Sequence, residues 1–255
     1  SLRWLPEPWS IAEGARHLAP GHVARFDRQG MAVRSFVEPE PLEAYESEPV
    51  AAMALAERFD VAVACRMVAD VPVGAYLSGG VDSALVAAAM VRASDQVKTF
   101  TVGFADVPAY YEERPQARQV AQALGTDHTE IELGASEALA AVEPMFDGLD
   151  EPFADSSALP SFILARETRR HVTVALSGDG GDEVFGGYRL YQGELYADAY
   201  QRVPKVLRHG LIEPAARLLP DDKGGRFSEK ARRLRRFIDH AGKAAVERRA
   251  GLARL

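Results

Sequence analysis

Apolar and polar positions change their spacing three times along this chain. His22 to Phe26 and Met31 to Phe36 alternate at short range and are joined through Asp27-Arg28-Gln29-Gly30, which predicts a β-hairpin. Ahead of it, Ser10 is placed to cap a short helix running through Leu18 and stopping before Pro20-Gly21. A lone hairpin has too little core to stand by itself. Residues 37–49 are rich in proline and glutamate and read as a linker. From 50 to 68 the period becomes helical, with Met53, Leu55, Ala56, Phe59, Val63 and Met67 near one repeating spacing.

Strands and helices then alternate. Strands are expected at 73–77, 97–102, 128–133 and 172–176, and helices at 83–93, 113–124, 136–146 and 157–169. This order predicts a parallel sheet with helices on both faces, a doubly wound α/β domain. After Tyr188 the pattern is helical, with helices expected at 199–209, 212–219 and 229–250.

Two of the strands empty into glycine-rich turns. Val73-Gly74-Ala75-Tyr76-Leu77 leads into Ser78-Gly79-Gly80-Val81-Asp82-Ser83, and an alanine-rich helix follows. A strand, a glycine turn and a helix N-terminus in that order make an anion site, because the first-turn N–H groups are unpaired and glycine lets phosphate oxygens approach the main chain. No Gly-Lys-Ser/Thr follows, so this is not the lysine-bearing loop of common nucleotide triphosphatases. By itself the hexapeptide also suits an ordinary Ser/Gly turn. About a hundred residues on, Val172-Thr173-Val174-Ala175-Leu176 runs into Ser177-Gly178-Asp179-Gly180-Gly181-Asp182-Glu183. Loops at the carboxyl ends of neighbouring parallel strands converge on one crevice. Asp82, Asp179 and Asp182 are therefore expected to meet around a phosphate chain, and close carboxylates favour a cation between them, with Mg2+ the natural choice. The plainer reading of the second turn is an acidic surface loop.

Composition narrows the class without changing it. The chain has 255 residues, 47% hydrophobic and 26% charged, and no apolar run long enough to cross a bilayer. Cys65 is the single cysteine, expected to be a buried small hydrophobe in a reducing cytoplasm, and the six histidines show no zinc spacing. Net charge is −7, yet the stretch from Gln201 to Leu255 carries 15 Lys/Arg against 6 Asp/Glu. That tail lacks interleaved aromatic side chains and reads as solvated helix rather than a nucleic-acid surface.

These motifs carry a family resemblance. Ser78 to Ser83 resembles the pyrophosphate loop of the ATP-pyrophosphatase (PP-loop) family. Asp70-Val71-Pro72-Val73-Gly74 and the run from Ser177 to Tyr188 narrow the likeness to the synthetase domain of glutamine-dependent asparagine synthetase. Thr99-Phe100-Thr101-Val102-Gly103-Phe104, Leu124-Gly125-Thr126-Asp127-His128 and Asp150-Glu151-Pro152-Phe153-Ala154-Asp155-Ser156-Ser157 resemble further landmarks, in the family's order. The resemblance implies an adenine-nucleotide alpha-hydrolase-like sheet with a helical C-terminal part. It implies ATP and Mg2+ as cofactors, and aspartate and glutamine-derived ammonia as substrates. The expected reaction adenylates the aspartate side chain, releases pyrophosphate and yields asparagine and AMP.

Carried over residue by residue, the likeness assigns Leu77, Ser78, Gly79, Gly80, Asp82, Ser83, Val102, Ser177 and Gly178 to ATP and pyrophosphate, and Asp82 and Asp182 to Mg2+. Asp179 takes the catalytic position linked to forming the acyl-adenylate, where many members carry Glu. That departure leaves the acyl substrate open to a β-lactam synthetase-like or polysaccharide-modifying relative, or to a non-catalytic nucleotide-binding module. Glu112-Glu113 stands where Asp-Glu is usual and reads as a helix-start charge pair. Residues 1–36 are expected to be the tail of a glutaminase domain and 37–255 a synthetase domain cut short, because the family's N-terminal cysteine and its catalytic-lysine segment have no match. The family is commonly dimeric. No nucleic-acid or membrane partner is expected.

Overall fold

The computed structural model describes residues 5–37, 44–105, 112–217, 226–243 and 247–248. One compact unit runs to Asp179 and a second begins at Gly180.

In the first unit, β1 (His22–Asp27) and β2 (Gly30–Ser35) pair antiparallel as the alternation predicts. Asp27 Oδ1 accepts the Gln29 amide at 2.8 Å and closes the turn. Cross-strand partners share a face, so Ala24, Phe26, Met31 and Val33 line one side. The helix expected from Ser10 to Leu18 does not form. Those residues are turns and bends, with Ser10 Oγ accepting only the Ala12 amide at 3.0 Å.

The first unit's core is a parallel sheet of β3 (Val73–Tyr76), β4 (Lys98–Phe104), β5 (Asp127–Leu133) and β6 (Val174–Leu176), in the order β5-β4-β3-β6. α1 (Glu48–Arg66) leads in. α2 (Val81–Ala93) connects β3 to β4, and α3 (Arg114–Leu124) connects β4 to β5. From β5 the chain passes through α4 (Ala135–Ala140), α5 (Val142–Asp147) and α6 (Ala158–Thr168) to β6, on the far side of β3. Ala75 and Leu77 pack under α2 and α3 with Val86, Ala87, Met90, Ala117 and Ala121. Val102, Phe104, Ile131 and Leu133 pack on the other side against Leu159, Phe162 and Ile163 of α6. Tyr76 pairs with Phe100, so the even-numbered β4 positions lie opposite Ala75 and Leu77. Helices therefore cover both faces, and the sheet is doubly wound.

Two details depart from expectation. One helix was expected over 136–146, but it is broken at Ala141: Pro144 has no N–H to give the Ala140 carbonyl, and its ring crowds it. Cys65, expected inside, is exposed. α1 is apolar on several sides, and of its residues only Val63 is buried, so its spacing could not select the inner face.

The second unit is helical: α7 (Gly181–Phe185), α8 (Arg189–Gln201), α9 (Lys205–Leu207) running into a π-helical turn (Arg208–Ile212), α10 (Glu213–Arg217) and α11 (Arg226–Ala241). Most of α8 lies ahead of the helix expected from Ala199, because exposed Tyr191, Leu195 and Tyr196 mask its period. Pro204 separates α8 from α9 where one helix over 199–209 was expected. The linker positions 38–43, the end of the 212–219 helix and the region after 243, apart from 247–248, lie outside the described residues.

Candidate functional site

The sheet's order fixes where a ligand can sit. The crossovers from β3 through β4 to β5 run one way, and β6 returns on the other side of β3. The order thus reverses between β3 and β6, and in open parallel sheets the carboxyl ends of strands at such a reversal are where ligands bind. Val73, Gly74 and Ala75 pair with Val174, Ala175 and Leu176. The two glycine turns consequently leave the sheet side by side.

The turn after β3 is braced from within. Leu77 donates its amide to the Phe100 carbonyl at 2.8 Å and extends the ladder by one residue. Its side chain is 1% exposed and fills the core with Ala87, Ala117 and Ala121, so its backbone is what it can offer a nucleotide. Gly79 has φ +79° and sits against α3, where a Cβ would come within 2.7 Å of Gln116 Cβ and 2.8 Å of the Ala117 nitrogen. Ser83 Oγ points inward, accepting the Ser78 amide at 3.2 Å, meeting Ser78 Oγ at 3.0 Å and donating to the Gly80 carbonyl at 3.2 Å. Gly80 caps α2 with no side-chain acceptor, so the first-turn N–H groups of this 13-residue helix have no side-chain cap. Asp82 lies in that first turn.

The second turn touches the first through the main chain. A Cβ on Gly178 would stand 2.8 Å from the Ser83 nitrogen and 2.9 Å from Asp82 Cβ, so only glycine allows the approach. Ser177 Oγ donates to Asp179 Oδ2 at 3.0 Å and sets the direction of that carboxylate. Tyr76 at the end of β3 is half-buried. Burial first, and then the Asp179 charge, push its phenol above the ordinary value. Ser78, Gly79, Gly80, Asp82, Ser83, Ser177, Gly178 and Asp179 thus all belong to one sheet edge. Val102 stands on β4, its side chain packed toward Leu133 and Ile163. Asp182 belongs to the second unit, where its carbonyl accepts the Gly187 amide at 3.0 Å.

At the carboxyl end of β4, Glu112 and Glu113 prove unequal. Glu112 accepts from the Arg114 amide, Nε and Nη2 at 3.0, 2.8 and 2.6 Å, and those bonds hold its carboxyl below the usual range. Arg114 Nη1 also reaches Glu132 at 2.5 Å. Glu113, at the cap of α3, is pushed up by burial and then by Glu112. Sequence reasoning singled out neither Tyr76 nor Arg114. The available signals were an aromatic residue on the far side of the strand from Leu77 and a cation just after two acids.

Among the described residues, no three Asp, Glu, His or Cys side chains gather as a metal site. Mg2+ that travels with nucleotide takes most of its oxygens from phosphate and water and needs one or two carboxylates. The uncapped helix start, with Asp82 in its first turn, suits that mode.

The Asparagine synthase family model matches residues 54–254. A Mycobacterium tuberculosis protein provisionally named asparagine synthetase (glutamine-hydrolyzing) is 35% identical over 234 residues, covering 88% of this chain and 35% of its own length. Asparagine synthetase (glutamine-hydrolyzing) 1 of Bacillus subtilis is 31% identical over 229 residues, covering 89% of this chain and 35% of its own. The chain therefore spans about a third of these relatives. A solved NH3-dependent NAD synthetase from Campylobacter jejuni overlaps 75% of this chain and 96% of its own at a TM-score of 0.38 and 15% identity, a likeness too slight to bear on the assignment. With its loops, their order and these matches together, the chain belongs to the asparagine synthase family.

Proposed function

We propose that this chain is the synthetase part of an ATP-dependent amide-forming ligase that makes asparagine from aspartate. The observation that carries this reading is the main-chain contact between Gly178 and Asp82–Ser83, which sets an uncapped helix start beside an oriented carboxylate. In the proposed reaction an oxygen of the aspartate side chain attacks the α-phosphorus of ATP, and the bond to the β-phosphate oxygen breaks. Pyrophosphate leaves with that electron pair. Ammonia then adds to the acyl carbon, loses a proton, and AMP departs.

The amides of Val81 to Ser83 would hold the pyrophosphate, where preorganised donors stabilise developing charge without moving, while the Gly80 amide braces the turn through Ser78 Oγ at 3.2 Å. Ser83 Oγ keeps the turn in shape, because its bonds are made to Ser78 and Gly80. Leu77 and Val102 would flank the nucleoside, with Ser177 and Gly178 beyond them. Asp179 would organise the acyl end. Asp82 would hold Mg2+, with Asp182 proposed as a ligand by the resemblance alone; the ion would supply charge neutralisation on the phosphates when bound. Residues 1–36 would be the tail of a glutaminase domain that supplies the ammonia, with the synthetase domain starting at 37.

Another acyl substrate remains the second reading, favoured by Asp179 where a longer carboxylate is usual. Exchange of labelled pyrophosphate into ATP by the full-length parent protein separates the two. Exchange that requires aspartate supports asparagine synthesis. Exchange with another carboxylic acid moves the assignment to that acid, and no exchange with any acid leaves a nucleotide-binding module.

A further inference from the structure

The family match begins at residue 54, yet part of the chain ahead of it is fastened inside the matched region. Ile11 donates its amide to Glu151 Oε1 at 3.1 Å, and His17 Nε2 lies 3.1 Å from Glu151 Oε2. Both oxygens of one carboxylate are thus engaged by a segment about 140 residues away in sequence. That segment is folded onto itself by the bond from the His17 amide to the Pro8 carbonyl at 3.0 Å, so Glu151 grips a closed loop rather than a loose strand. The Glu151 side chain is 24% exposed and that of His17 41%.

The place of Glu151 gives this contact its interest. α6 ends at Thr168 close to the start of β6, on the amino edge of the sheet, where the Thr173 amide bonds the Pro72 carbonyl. α6 therefore starts at the carboxyl edge, and the loop from α5 to α6 that carries Glu151 lies on the same edge as the glycine turns. Asp155 in that loop fixes the helix start, accepting the Ser157 amide at 2.8 Å and hydroxyl at 2.7 Å. A pull on residues 8–17 reaches the edge that holds the proposed site through Glu151.

We infer that Glu151 is a joint between the segment preceding the hairpin and the synthetase edge, and that it couples glutamine hydrolysis to amide formation in the full-length protein. The inference rests on the ligase reading above. Glu151 acts as a positioning residue and touches no reacting atom. The test uses the full-length parent with Glu151→Ala, His17→Ala and the double variant, measuring asparagine formed per glutamate released, asparagine formed from free ammonium, and aspartate-dependent pyrophosphate exchange. The expected result is a yield per glutamate at least about threefold lower in each single variant, no further loss in the double, and unchanged ammonium-driven synthesis and exchange. An unchanged yield overturns the joint while the ligase reading stands. A parallel fall in ammonium-driven synthesis also overturns it, since Glu151 would then support the site or the fold itself. Parent protein showing no aspartate-dependent exchange removes the ligase reading, and the joint with it.

Discussion

The two compact units bury different things. In the sheet unit the interior is apolar or small, with Ala75, Leu77, Ala87, Met90, Phe100 and Ile163 nearly sealed from solvent. It also buries a few hydroxyls, such as Thr99 bonded to Thr126 and His128, while the start of α2 at the carboxyl edge has no side-chain cap. The helical unit differs. Arg208 and Arg248 are 4% and 2% exposed, and both are bonded inside. Arg248 reaches Glu194 at 3.1 Å and Asp198 at 2.6 Å, His240 joins Glu194 at 3.0 Å, and Arg208 reaches Gln201 at 2.8 Å. The first unit leaves the start of α2 without a side-chain cap, and the second ties Arg208 and Arg248 into bonds between its helices. Changes at the glycine turns are therefore expected to act on function, and changes at the buried arginines of the second unit on stability.

Gly178→Ala is the sharpest break of this contrast. The new methyl meets only backbone and Cβ atoms, so the turns must part. Pyrophosphate exchange in the full-length protein should fall at least about 100-fold, with a stability loss of about 2 kcal/mol in urea unfolding. Asp179→Asn should lower exchange by about 100-fold while the urea midpoint stays put, and Asp179→Glu should keep most activity. Equal losses in Asn and Glu variants would leave Asp179 a structural residue. In the helical unit, Arg248→Ala leaves Glu194 and Asp198 short of their partner. A loss of about 2 kcal/mol is expected by urea unfolding, tempered because Asp198 is 63% exposed, with nucleotide binding intact.

Smaller effects refine the picture. Gly193 lies within α8 with open space where a Cβ would go, so Gly193→Ala should stabilise by about 0.5–1 kcal/mol, the opposite sign to Gly178. The smallest effect concerns Tyr76. Its folded phenol holds a proton more tightly than the ordinary value of 10.0, so its contribution to stability is complete below that value and is lost as pH rises through the higher folded value. Asp179→Asn removes the lesser of the two causes. Ultraviolet difference titration, with Tyr76→Phe to assign the signal, should show the midpoint move down part of the way.

The sheet and both glycine turns were legible because their signals are local. A short apolar run, a glycine pair and a following alanine-rich stretch are enough to place β3, the turn and α2. The pairing of the turns followed from the rule for parallel strands, whereas the contact of Gly178 with Ser83 is tertiary and no spacing announces it. The failed helix at 10–18 has a similar cause. Its capping serine was present, but Ile11 and His17 are claimed by Glu151, far along the chain. Buried arginines were equally hidden, since Arg208 and Arg248 look like the solvated basic residues around them. Cys65 misled because α1 has apolar residues on several sides and its spacing does not choose among them.

Only hydrogen separates the α-carbon of Gly178 from the turn beside it, and this has a mechanical consequence. Side chains can swing to absorb a displacement, but abutting main chains cannot. A ligand that draws the start of α2 toward itself must carry Ser177 to Asp179 along, with the stiffness of peptide planes rather than the slack of rotamers.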